Sequence, residues 1–206
     1  MENTTKSRIL EEALAMFAAN GYKGTNLRDL AAQIGVSKSA LYKHFESKEA
    51  IWNALFDKME SYYDARFGSA EHMPPVPKSY EELLALTMRL ADFTIHDPNV
   101  ILTRKILLTE QFHDERACKQ ATAHFLTGTK NIFTGIFSAM MADGLLKKDD
   151  PAMLAFAYTT PITALIHLCD REPDSESEIM AQIEAFAGHF IATYRKKKEE
   201  IYGKYH

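Results

Sequence analysis

Residues 27–45, Leu-Arg-Asp-Leu-Ala-Ala-Gln-Ile-Gly-Val-Ser-Lys-Ser-Ala-Leu-Tyr-Lys-His-Phe, constrain the fold more than any other stretch. Leu27, Leu30, Ala31 and Ile34 recur at helical spacing and make one apolar stripe. Gly35 follows at once, where a helix closing on a left-handed residue needs no Cβ. Val36 can plug the corner, and Ser37 is a good N-cap for a second helix. Leu41 and Phe45 repeat the four-residue spacing on that helix. Ala31, Gly35 and Leu41 supply the small residue, turn glycine and buried aliphatic that a helix-turn-helix requires. Lys38, Ser39, Tyr42, Lys43 and His44 fall on the outward face, and all can reach phosphates or base edges. A plain helical hairpin would show the stripes but rarely this exposed face.

The whole chain of 206 residues, 46% apolar, can bury a core in one large or two modest domains. Its net charge of −4 argues against coating nucleic acid indiscriminately, yet residues 1–50 carry net +1 and the remainder net −5. An acidic body with a locally basic tip suits contact with DNA at one place. The polar N-terminus has no apolar signal segment, which predicts a cytoplasmic protein. Cys118 and Cys169 are too few and too isolated for a disulfide framework or a zinc site. Residues 152–169 lack charge, but they include Tyr158, Thr159, Thr160, Pro161 and His167, and a buried helix is favoured over a membrane span.

Helical signals recur throughout, and alternating strand signals are absent. The first helix runs from about Lys6 to Ala19 and is ended by Asn20-Gly21. Ser47 caps a fourth helix reaching about Phe67. Gly68 to Ser79, with Pro74-Pro75-Val76-Pro77, reads as a linker. Capping boxes at Ser79–Glu82 and Ser175–Glu178, with Asp97-Pro98 and Asp150-Pro151, predict further helices at about 80–95, 98–112, 115–142, 151–170 and 176–202. The expected fold is all-α, with a helix-turn-helix domain over 1–50 that continues into a linking helix at 48–67. A linker at 68–79 then leads to a larger helical domain over 80–206 for ligand binding and dimerisation.

With Gly21-Tyr22, Gly24-Thr25, Gly35-Val36-Ser37 and Leu41-Tyr42-Lys43-His44-Phe45 in order, followed by Ser47-Lys48-Glu49, residues 5–55 resemble the TetR family of transcriptional regulators. The resemblance implies a homodimer on a roughly palindromic operator, usually a repressor released by a small molecule. Beyond residue 70 the likeness is only one of length and helix pattern.

On this basis Lys38, Ser39, Lys43 and His44 are expected to donate in the major groove, while Ala40 permits close approach or touches a thymine methyl. Tyr42 resembles the family's aromatic that packs on the DNA backbone. Thr25, Asn26 and Arg28 begin the preceding helix, where a phosphate docks on exposed N–H groups, and Lys48 is expected to serve a second anion site. In the C-terminal domain the phenylalanines and methionines, Met88, Phe93, Phe112 and Phe125 among them, read first as plain core; the functional alternative is an apolar pocket there, with His96, His113, His124 or Tyr158 adding one or two polar contacts to a hydrophobic or aromatic effector. The uncharged helix and the last helix, through Phe156, Ile162, Leu165, Ile183, Phe186 and Phe190, are expected to form a four-helix dimer interface. Pro161 should kink the earlier helix.

Arg195-Lys196-Lys197-Lys198, ahead of Glu199 and Glu200, reads as a solvated helix end. No cofactor is expected. The main rival is a metal enzyme, since Glu110-Gln-Phe-His113 has the Glu-x-x-His spacing of di-iron bundles, but no second pair accompanies it. An interaction module without DNA binding is the other rival, and it would leave the exposed face of the second helix unused.

Overall fold

The computed structural model describes residues 4–68 and 74–196. Ten α-helices are described: α1 (Thr5–Gly24), α2 (Leu27–Gln33), α3 (Lys38–Tyr42), α4 (Lys48–Phe67), α5 (Tyr80–His96), α6 (Pro98–Glu110), α7 (Glu115–Thr122), α8 (Gly128–Ala142), α9 (Pro151–Cys169) and α10 (Glu176–Tyr194). Among the described residues no strand forms; the one sheet-like feature is an isolated antiparallel bridge between Leu146 and Arg195. The all-α fold is as the sequence implies. Lys197, Lys198, Glu199 and Glu200, and the expected extension of the last helix to 202, lie outside the described residues.

The chain divides into two units, and the division differs from the sequence boundary. Helices α1–α4 group with α6 and α7, while α5, α8, α9 and α10 form the second unit. Residues 98–121, expected in the C-terminal domain, therefore belong with the helix-turn-helix. Long-range packing decides this: Val100, Thr103, Arg104, Ile106, Leu107 and Glu110 of α6 are buried, with α1 as that helix's principal neighbour.

Local chemistry explains each start and stop in the first unit. Thr4, Asn26, Ser37 and Ser47 each accept a hydrogen bond from a first-turn N–H, at 3.3, 2.9, 3.1 and 3.0 Å. Gly21, with φ 70 and ψ 173, breaks α1 where Asn20-Gly21 predicts its end. Ile9, Ala13, Phe17, Leu30, Leu41, Ile51 and Phe56 lose all exposure in the core. Phe17, Tyr22 and Phe56 surround Trp52, with ring centroids 5.0, 5.0 and 4.7 Å from it. From α7, Arg116 donates to the Asn53 carbonyl at 3.1 Å, pairs with Asp57 and stacks over Phe56.

The second unit is built on aromatic packing. Tyr158 has no exposure and lies against Phe133, Phe137, Phe186 and Phe190, its hydroxyl 2.7 Å from that of Thr87. Burial pushes the phenol up to about 12. Helix α9 runs on through Pro161, with Thr159 and Thr160 donating their hydroxyls to carbonyls one turn back, at 2.8 Å each. By length and composition α9 could cross a membrane, yet Leu154, Ala155, Tyr158, Thr159, Ile162, Ile166 and Cys169 are buried within the protein.

The expected continuous helix at 115–142 is interrupted by a π-helical turn at Ala123–Thr127. There the Gly128 N–H reaches back to the Ala123 carbonyl, and a Cβ at 128 would meet that oxygen at 2.7 Å. Glycine is therefore required by space at this position.

Candidate nucleic-acid interface

The corner between α2 and α3 sets the direction of α3. Gly35 sits at φ 70, its N–H bonded to the Ala32 carbonyl, while the Val36 N–H takes that of Ala31. Arg8 donates to the Ile34 carbonyl at 2.8 Å and so anchors the C-terminal end of α2 to α1. Leu41 is wholly buried and Phe45 nearly so, which turns the opposite side of α3 to solvent.

Lys38, Ser39, Tyr42, Lys43 and His44 are all exposed on that side, with Ala40 half-buried among them. Tyr42 keeps 41% of its surface open, a high value for a large aromatic, and Lys38 lies over its ring at 5.5 Å. Asn26 and Arg28 are also exposed at the start of α2, where the Asn26 side chain accepts the Arg28 N–H. Eight of the ten sequence-assigned residues thus reach solvent from α2 and α3 or the turns beside them.

The other two face inward. Thr25 is 3% exposed, and its hydroxyl donates toward the Gly21 carbonyl at 2.9 Å and that of Met16 at 3.2 Å, so its side chain closes α1 and cannot meet a phosphate. Lys48 donates to the Tyr22 and Thr25 carbonyls at 2.5 and 2.8 Å and lies 4.4 Å above the Tyr22 ring. Partial burial lowers its pKa, partly offset by the charge of Glu110. Its ammonium serves the protein's own backbone, which corrects its assignment to an external anion.

Glu110 is the residue that sequence reasoning misplaced. It is buried and accepts the Tyr22 N–H at 2.9 Å, across 88 positions of sequence. His113 is exposed, and no group of three or more potential metal ligands occurs among the described residues. The Glu-x-x-His spacing therefore reflects a structural carboxylate. No local pattern reveals its partner.

The expected ligand set is spread over both units. Phe112 is 81% exposed and lies in the first unit. His96 is a surface residue held between Asp92 and Glu176 at 3.0 Å each, and its pKa is raised chiefly by the hydrogen bond to Glu176. Tyr158 is core, and Met88 and Phe93 are half-buried. His124 and Phe125 share the π-helical turn; burial pulls the His124 imidazole down to about 4, and Phe125 stacks edge-on against His167 at 4.6 Å.

The expected dimer set divides as well. Ile162, Ile183 and Phe190 are buried inside their own unit and cannot meet a second copy, while Leu165 and Phe186 are half-covered. Phe156 is 43% exposed, beside Met153 at 61%.

A helix-turn-helix with an open polar and aromatic face on its second helix defines a nucleic-acid-binding class of all-α protein. Residues 9–55 match the family model described as bacterial regulatory proteins, tetR family. The chain is 30% identical over 117 residues to an uncharacterized HTH-type transcriptional regulator, YerO, of Bacillus subtilis, covering 55% of this chain and 38% of the relative. It is 40% identical over 47 residues to IcaR of Staphylococcus aureus, a negative transcriptional regulator of a biofilm operon, covering 23% of this chain and 25% of that one. The chain thus matches well under half the length of these curated relatives. The fold is similar to that of SmeT, from Stenotrophomonas maltophilia, in its triclosan complex, at a TM-score of 0.71 and 20% identity over 94% of this chain and 93% of that one. It is also similar to a TetR family regulator from Pseudomonas syringae, at a TM-score of 0.66 and 22% identity over 96% and 100%. Residues 9–55 thus match the N-terminal part of the tetR family of bacterial regulatory proteins, and the chain as a whole shares the fold of solved TetR-family structures.

Proposed function

We propose that this protein is a cytoplasmic, homodimeric repressor that inserts α3 into the major groove of a pseudo-palindromic operator and leaves it when a small apolar molecule binds. The outward face of α3 carries this proposal. Lys38, Ser39, Lys43 and His44 present donors, Ala40 allows close approach, and Tyr42 combines an apolar ring with a hydroxyl for the DNA backbone. Asn26 and Arg28 flank that face from α2. Repression is supported by relatives described as a negative regulator and as the repressor of a multidrug efflux pump.

A two-fold assembly is supported by the outer face of α9, where Met153, Phe156, Ala157, Thr160 and Ala164 are exposed at helical spacing. Ala181, Ala185 and Ala192 are exposed on α10, small enough for a second helix to approach closely. An aromatic effector is suggested by the triclosan complex of the SmeT neighbour and by the aromatic interior of the second unit.

The test is selection of duplexes from a random pool by the full-length protein, followed by footprinting. Two half-sites about one helical turn apart, protected by a dimer, are the expected result. Recovery of no preferred sequence at moderate salt would reject the proposal.

A further inference from the structure

Between α1 and α2 the chain must leave one helix and enter the next, and the connector's peptide groups cannot all find helical partners. Gly21 turns the backbone at φ 70. The N–H of Tyr22 then meets the Glu110 carboxylate at 2.9 Å, while the carbonyls of Tyr22 and Thr25 meet the Lys48 ammonium at 2.5 and 2.8 Å. Opposite charges thus take opposite ends of the connector's polar groups, one from α6 and one from α4. The fit at Gly21 is close: a Cβ there would come within 2.8 Å of Glu110 Oε1. Helix α2 begins immediately afterwards, and its other end is held by Arg8 through the Ile34 carbonyl. The direction of α3 descends from α2 through the Gly35 corner.

We propose that Glu110 and Lys48 form an internal clamp that positions the DNA-reading helix, with Lys48 committed to the connector and not to a phosphate. The proposal rests on the DNA-binding assignment above for its effect on affinity, but the clamp itself is a property of the free protein. Two of the three ammonium donors are already used and the Tyr22 ring covers one approach, so little remains for an external anion.

The test uses the full-length chain and a duplex that the wild type has selected from a random pool. Binding is measured over a range of salt for the wild type, Lys43→Ala, Lys48→Met, Glu110→Ala and Glu110→Gln. Lys48→Met and Glu110→Ala each weaken binding about tenfold, as loss of a hydrogen bond to a charged group would. Neither changes the slope of log K against log salt, whereas Lys43→Ala lowers it by about one. Glu110→Gln keeps an oxygen for the Tyr22 N–H and recovers most of the affinity. The pair Lys48→Met with Glu110→Ala binds no worse than its weaker member. A slope reduced by about one in Lys48→Met, or losses that simply add, would overturn the clamp.

Amide hydrogen exchange without DNA separates failure of the clamp from failure of the DNA-binding assignment. Exchange at Tyr22 quickens about tenfold in Glu110→Ala and stays near wild type in Glu110→Gln. Unchanged exchange in Glu110→Ala overturns the clamp whatever the DNA measurements show.

Discussion

The Thr87–Tyr158 pair allows a sharp test of how polar groups are tolerated in the second unit. Thr87 donates its hydroxyl to the Leu83 carbonyl at 2.9 Å, and with that single proton used it must accept from Tyr158 at 2.7 Å. The two residues are 3% and 0% exposed. Tyr158→Phe removes a donor and leaves only an acceptor with one remaining partner, so it should cost ~0.5–1.5 kcal/mol. Thr87→Val strands the phenolic O–H among Phe133, Phe137 and Phe190 with no replacement, and should cost more, ~1–3 kcal/mol. The double variant removes both partners and should fall well below the sum of the singles. Urea unfolding at one protein concentration, followed by far-ultraviolet circular dichroism, gives the three values. If Thr87→Val costs no more than Tyr158→Phe, the assigned direction of the hydrogen bond is wrong; if the losses add, the two hydroxyls are not coupled.

Three further outcomes are expected. Tyr42→Ala should weaken binding to selected and unselected duplexes alike, because a backbone contact carries no sequence preference; a loss confined to the selected duplex would place Tyr42 on a base. Phe156→Lys should shift the protein toward monomer in sedimentation equilibrium without unfolding it, since that ring is 43% exposed within its own chain, and an unchanged association would remove α9 from the interface. The raised pKa of His96 means that its protonated form stabilises the fold below about pH 6.5 and that the contribution fades as pH rises through the folded-state value. His96→Gln should therefore lower the urea midpoint more at about pH 5.5 than at about pH 8.5, by a small amount because the side chain is half exposed. A larger effect at the higher pH would contradict the sign.

What the sequence disclosed follows from how far each interaction reaches along the chain. The Ser37 cap spans three residues, the Gly35 corner spans five, and the Leu27–Ile34 stripe is a single period pattern, so the helix-turn-helix and its outward face were legible residue by residue. In the sequence, apolar character alone marks the dimer residues. Ile162, Ile183 and Phe190 satisfy that criterion as well as Phe156 does, but a helix packed on several sides has more than one apolar face, and periodicity does not say which one its own unit covers. The ligand set shows the same ambiguity, since Tyr158 and Phe112 are both aromatic and opposite in burial.

Charge shows the same limit more sharply. Lys43 and Lys48 carry the same group five positions apart, and the sequence points both toward DNA, Lys43 to the major groove and Lys48 to an anion site. What separates them is a connector whose carbonyls face α4 and a glutamate 62 positions beyond Lys48. A basic residue beside a DNA-reading helix is therefore ambiguous until the backbone around it has been accounted for. If its ammonium already satisfies buried carbonyls, removing it loosens the geometry of the reader and leaves counterion release unchanged. The salt slope separates those two roles, because only a residue that displaces ions from DNA can alter it.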